Sequence, residues 1–101
     1  MDNFTVIYKI LKVLEKSMDY EEFDDRAISP EVLNVSKERR DKLLIEMQRE
    51  GYITGLKVDN FIGTGKFIRE PLKIAITIKG LEYLEENSFM KKAANTAKGV
   101  I

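Results

Sequence analysis

The chain has no cysteine, no histidine and no tryptophan, and only two prolines in 101 residues. Without cysteine there is no disulfide staple and no thiol nucleophile. Without histidine as well, Cys/His zinc sites and histidine-based triads are excluded. Catalysis therefore has little to draw on, because paired carboxylates such as Glu21 and Glu22 are merely loop neighbours. The chain reads as a non-enzyme that implies no cofactor and no metal. An excess of one charge is missing too: 17 basic residues face 17 acidic ones. That balance departs from the strongly basic profile of most nucleic-acid binders. No run approaches the roughly 18 apolar residues of a membrane span. Met1 to Thr5 lacks the basic region that opens a signal peptide. The expectation is a cytoplasmic protein with no membrane partner.

What remains fits one domain. Hydrophobic residues make up 44% and charged residues 34%, too apolar for a disordered tail. From Phe4 to Met18, Phe4, Ile7, Tyr8, Leu11, Leu14 and Met18 recur at three- and four-residue steps, with Val6, Ile10 and Val13 widening the face. This is the period of an amphipathic helix, capped by Asp2 or Asn3. The acidic stretch that follows, Asp19 to Asp25, has no apolar period and no calcium-loop spacing, so it reads as a solvated loop pinned by Tyr20 and Phe23. Ala27 and Ile28 are expected to form a very short strand. Ser29-Pro30-Glu31 then starts a short helix, Pro30 to about Asn34.

A second helix starts at Ser36 and runs to Glu50, where Gly51 stands in the C-terminal left-handed position. Its inward stripe is Leu43, Leu44 and Met47, and Arg40 falls on the same stripe. Glu38, Lys42, Ile45 and Arg49 point outward, with Glu38–Lys42 and Glu46–Arg49 spaced for ion pairs. Tyr52–Val58 and Leu72–Thr77 alternate as strands, joined by a glycine-containing connection. Thr77 is placed to cap a helix running to about Asn87. The expected division is a domain over residues 1–88 and a helical or frayed tail over 89–101.

Helix, very short strand, short helix, helix, strand, wing, strand, helix is the order of a winged helix-turn-helix, an α+β fold, here with an additional C-terminal helix. Within it, Lys37, Arg39 and Lys42 are the candidate nucleic-acid contacts on the recognition helix, and Lys66 and Arg69 those on the wing. Four acidic residues on that helix, and Phe61, Ile62, Phe67 and Ile68 in the wing, favour other readings. These are a helix laced with ion pairs, a packed wing, or a surface for a protein partner or self-association. Gly63-Thr64-Gly65-Lys66 is not a phosphate loop, since Asn60 and Phe67 stand where that motif needs glycine and Ser or Thr.

The runs Phe4-Thr5-Val6-Ile7-Tyr8-Lys9-Ile10-Leu11, Ile28-Ser29-Pro30-Glu31-Val32-Leu33 and Thr77 to Asn87 resemble the YjcQ family, small proteins of Gram-positive bacteria and their phages. The resemblance implies four helices with three strands. It carries no catalytic or binding residues, and a phage structural or head-associated role has been suggested for some members. Two functional expectations stand: a small duplex-DNA-binding regulator, or a protein-interaction or phage-assembly module on the same scaffold.

The zero net charge is unevenly spread. Residues 1–35 hold four basic and eight acidic side chains, residues 36–79 ten and six, and residues 80–101 three of each. The positive part coincides with the candidate recognition helix and wing.

Overall fold

A computed structural model describes residues 2–61, 63 and 65–87. The expected tail over 89–101 lies outside the described residues, as do Ile62 and Thr64 of the wing. The elements are α1 (Asn3–Ser17), a single 3-10 turn (Asp25–Ile28), α2 (Pro30–Leu33), α3 (Lys37–Arg49), β1 (Ile53–Thr54), β2 (Val58–Phe61), β3 (Gly65–Ile68) and β4 (Ala75–Ile76). A further helix, α4, covers residues 78–87. The fold is α+β: four helices with two small antiparallel sheets, an arrangement compatible with a winged helix carrying a C-terminal helix.

Each helix begins where a short polar side chain can accept from a free backbone amide. Asp2 accepts from the Thr5 amide at 2.8 Å, Ser29 from Val32 at 3.2 Å, and Ser36 from Arg39 at 3.1 Å. The Thr77 hydroxyl accepts from the Gly80 amide at 3.1 Å and donates to the Gly51 carbonyl at 2.5 Å. The turn between α2 and α3 is closed by Asn34 in the left-handed region, φ 56°. There the Asn34 amide bonds the Glu31 carbonyl and the Val35 amide bonds Pro30. The same paired closure ends α3 at Gly51, φ 85°, where Gly51 bonds Gln48 and Tyr52 bonds Met47. Two sharp reversals within 20 residues are thus encoded by one asparagine and one glycine.

The core joins Val6, Ile10, Leu11 and Leu14 of α1 to Ile28, Leu33, Leu44, Met47, Ile53, Ile74 and Leu84, all buried. The apolar face of α1 is narrower than its sequence period suggests. Phe4 and Met18, at its two ends, are 73% and 62% exposed. Arg40 is buried on the core stripe of α3 at 4% exposure, as its helical phase predicts. Its guanidinium donates to Asp41 (3.0 Å) and to the Ile28 carbonyl (3.3 Å), and lies 3.7 Å from Glu70. One buried cation therefore ties α3 to the 3-10 turn and to the base of the wing.

Several expectations are corrected. Ala27 and Ile28 belong to the 3-10 turn, not to a strand. The Asp24 carboxylate accepts from the Arg26 amide, and the Ala27 and Ser29 amides fold back three residues. The long strands shrink to two paired residues, Ile53↔Ile76 and Thr54↔Ala75. Gly55, φ 94°, bends the chain after Thr54, and a Cβ there would lie 2.5 Å from the Lys73 carbonyl. The bend is held by Gln48, whose side-chain amide exchanges two bonds with the Leu56 backbone at 2.7 and 2.9 Å. Beyond it, β2 and β3 form their own hairpin, paired from Val58↔Ile68 to Phe61↔Gly65. Tyr20 does not pin the acidic loop, being 74% exposed, whereas Phe23 packs against the core. Ile45 is half-buried and touches the core instead of pointing outward.

Candidate nucleic-acid interface

The five sequence-selected cations occupy different situations. On α3, the 100° step per residue places Lys42 directly opposite the buried stripe of Arg40, Leu44 and Met47. It is exposed and has no ion-pair or hydrogen-bond partner among the described residues; the expected Glu38–Lys42 pair is not formed. Arg49, two turns on, shares that face but is held by Glu46 at 2.7 Å. Lys37 and Arg39 lie on opposite flanks of the helix. Lys37 is paired with Asp41 at 2.6 Å, while Arg39 donates to the Asn3 side chain of α1 at 2.9 Å, a neutral partner that leaves its charge uncompensated. The structure therefore does not gather Lys37, Arg39 and Lys42 into one cluster; Lys42 alone faces straight out.

The wing divides its cations as well. Side chains alternate across a strand, so Lys66 shares a face of the β2–β3 hairpin with Ile68, and Arg69 falls on the other. Lys66 stands opposite Asn60 near the tip, exposed and without an ion-pair partner among the described residues. Arg69 extends the ladder through its amide to the Lys57 carbonyl at 2.9 Å, and its guanidinium donates to Asp59 at 2.7 Å. The same backbone bond brings Lys57 beside Arg69. Lys57 has no carboxylate partner among the described residues, and only the final hairpin register reveals its position. Of the wing's apolar residues, Ile68 is buried and Phe67 half-buried, in line with a packed wing. Gly63 and Gly65 hold the tip with φ values of 81° and 86°, between two strands.

Pairing sharpens the charge pattern of residues 36–79. Asp41, Glu46, Asp59 and Glu70 each lie against an arginine or lysine of this stretch. Among the described residues this leaves Arg39, Lys42, Lys57, Lys66, Lys73 and Lys79 outside any ion pair, against Glu38 and Glu50. Lys79 is committed elsewhere: it donates to the Glu50 carbonyl at 2.7 Å and sits 5.0 Å over the Tyr52 ring. The groove at the start of α3 is lined by Ser36, Lys37 and Arg40 but also by Asp25 and Glu70, so it is mixed in sign.

At the other end of α3, carbonyls of Glu50, Gly51 and Tyr52 accept from Lys79 and Thr77, which fixes α4 against the helix terminus. Tyr52 and Tyr83 meet edge to face with centroids 5.3 Å apart. Burial raises the Tyr83 phenol above its ordinary pKa, with the neighbouring Tyr52 and Asp2 adding to the shift. The α3 scaffold is thus anchored at both ends while its outward face stays open.

Among the described residues, no helix is long and apolar enough to cross a membrane. A family model described as "YjcQ protein" matches residues 8–101. Neither the curated proteins nor the solved structures include a match to this chain. With nearly its whole length matched, the chain belongs to the YjcQ family.

Proposed function

We propose that this YjcQ-family protein is a small duplex-DNA-binding module of the winged-helix kind. In this reading α3 lies along the major groove, and the β2–β3 hairpin follows the adjacent backbone. The observation that carries it is the distribution of unpaired charge. Four of the six carboxylates around α3 and the hairpin are taken up by Lys37, Arg40, Arg49 and Arg69, leaving Glu38 and Glu50, while Lys42, Lys57 and Lys66 project without an ion-pair partner among the described residues. The sharp α2–α3 turn at Asn34, and α3 held at both termini, supply the rigid presentation such a helix needs.

The roles differ from those the sequence suggests. Lys42 is the central phosphate or base contact. Lys66 and Lys57 reach phosphates from the two faces of the hairpin. Lys37 and Arg69 act mainly by holding Asp41 and Asp59 away from the backbone, and Arg39 reaches DNA only by leaving Asn3. Contacts of this kind go to phosphate and give salt-dependent, largely sequence-independent affinity. The test is an anisotropy titration of a labelled duplex at low salt, with Lys42→Glu and Lys57→Glu variants. Binding that weakens about 5–10-fold with each reversal supports the assignment. A flat titration refutes it and favours a protein-contact module.

A further inference from the structure

We propose that the outer edge of the β4 strand, residues 72–76, is a docking site for an extended polypeptide carrying lysine or arginine, which adds to the sheet as a third strand. The inference starts from the missing strand. Ala27 and Ile28 turn into the 3-10 helix, so β4 has β1 as its only strand neighbour among the described residues. The register Ile53↔Ile76, with the Thr77 amide on the Tyr52 carbonyl, fixes which groups face β1. Residue 75 turns its amide and carbonyl toward it and residue 77 its amide, the Thr77 carbonyl accepting instead from Leu81 of α4; by the alternation of the ladder, residues 72, 74 and 76 turn their amides to the opposite side. The structure bears out this parity at one position, where the Leu72 amide donates outward to the Asp25 carboxylate at 3.0 Å. That carboxylate occupies the place of a strand carbonyl. The amides and carbonyls of Ile74 and Ile76 have no such partner among the described residues.

A groove runs along this edge between β4 and the end of α1. Its lining includes Leu14, Phe23 and Ile76, and it is net acidic, with Glu21, Glu22, Asp24 and Asp25 against Arg26 and Lys73. Neither glutamate has an ion-pair partner among the described residues, whereas Asp24 is held by Arg26 at 3.0 Å. An extended segment places alternate side chains on opposite sides. One set meets the apolar lining, and cationic residues of the other set meet the two glutamates. The groove shares no residue with α3 or with the β2–β3 hairpin, so the proposal does not depend on DNA binding.

The probe is the peptide acetyl-Lys-Val-Lys-Val-Lys-Val-amide, added to the 15N-labelled full chain and followed by NMR. The expected result is saturable shifts at Ile74 and Ile76 with slowed exchange of both amides. Affinity is expected to fall at least about tenfold in the Glu21→Lys/Glu22→Lys variant and to vanish for a peptide N-methylated at alternate amides. Three results would overturn the proposal. One is no shift at Ile74 and Ile76 at millimolar peptide. Another is equal binding of a Glu-for-Lys peptide. The third is protection of the two amides that rises with protein concentration alone, which would assign the edge to a second copy of the chain.

Discussion

Replacing Gly80 by alanine sets two physical effects against each other, and the structure says which wins. Gly80 lies in the first turn of α4 with ordinary helical geometry, so propensity alone predicts that Gly80→Ala stabilises by about 0.5–1 kcal/mol. The close approach of α4 to the sheet predicts the reverse. A Cβ at position 80 would lie 2.4 Å from the Tyr52 carbonyl oxygen and 2.6 Å from Ile76 Cγ1. The carbonyl cannot move freely, because it accepts from the Thr77 amide while the neighbouring Gly51 carbonyl accepts from the Thr77 hydroxyl. Overpacking of this kind costs about 1–3 kcal/mol, and the clash with a fixed backbone carbonyl puts it in the upper half of that range, leaving a net loss of about 1–2.5 kcal/mol after the propensity gain. For a domain of this size that lowers Tm by roughly 4–8 °C for each kcal/mol. Thermal and urea unfolding followed by circular dichroism measure it. Part of the clash is with Ile76, so the substitution costs less in an Ile76→Ala background. A Gly80→Ala protein as stable as the parent, or more so, would refute the claimed close approach.

Other consequences follow from single contacts. Arg40→Ala leaves the Ile28 carbonyl without its side-chain donor and Asp41 with Lys37 as its one remaining ion-pair partner among the described residues, and is expected to cost about 2–4 kcal/mol in urea unfolding; Arg40→Lys recovers less than half, since one ammonium cannot reproduce the guanidinium's fork. Gln48→Leu removes both bonds to Leu56, with an expected loss of about 1–3 kcal/mol and faster hydrogen exchange at the Leu56 amide. The raised Tyr83 pKa favours the protonated phenol in the folded state. Its contribution is complete below the unfolded value near pH 10 and is lost as pH rises through the folded value. Ultraviolet titration should show a late-ionising phenol that is lost in Tyr83→Phe, and the same substitution should flatten the alkaline fall in stability.

The legible parts of the fold were those set by local chemistry. Asp2, Ser29, Ser36 and Thr77 cap helices at the positions their sequence context indicates, and Gly51 ends α3. Arg40 was readable as a stripe residue because helical phase is a local property. The errors came from choices made across the chain. Ala27-Ile28 could have paired as a strand, but Asp24 and Asp25 spend their carboxylates on the Arg26 and Leu72 amides and draw the segment into a 3-10 turn. Alternation over Tyr52–Val58 concealed the bend at Gly55, whose cause is a close approach to Lys73 and a side-chain clamp from Gln48, both remote in sequence. The candidate site suffered the same way. Charge counts located the positive region, yet only the hairpin register separates Lys66 from Arg69 and brings Lys57 beside Arg69. Likewise, helical spacing offers an i,i+4 carboxylate to both Lys37 and Lys42, and only the side-chain placement shows Lys37 paired with Asp41 and Lys42 outside any ion pair among the described residues.

The central claim, that the open cations of α3 and the hairpin bind duplex DNA, is tested most directly by the salt dependence of a duplex titration. Contacts from Lys42, Lys57 and Lys66, with Arg39 joining on release from Asn3, neutralise three or four phosphates. They predict a slope of log K against log salt of about −3, reduced by about 1 in Lys42→Ala. No binding at the lowest salt, or a slope unchanged by Lys42→Ala and Lys57→Ala, would contradict the account.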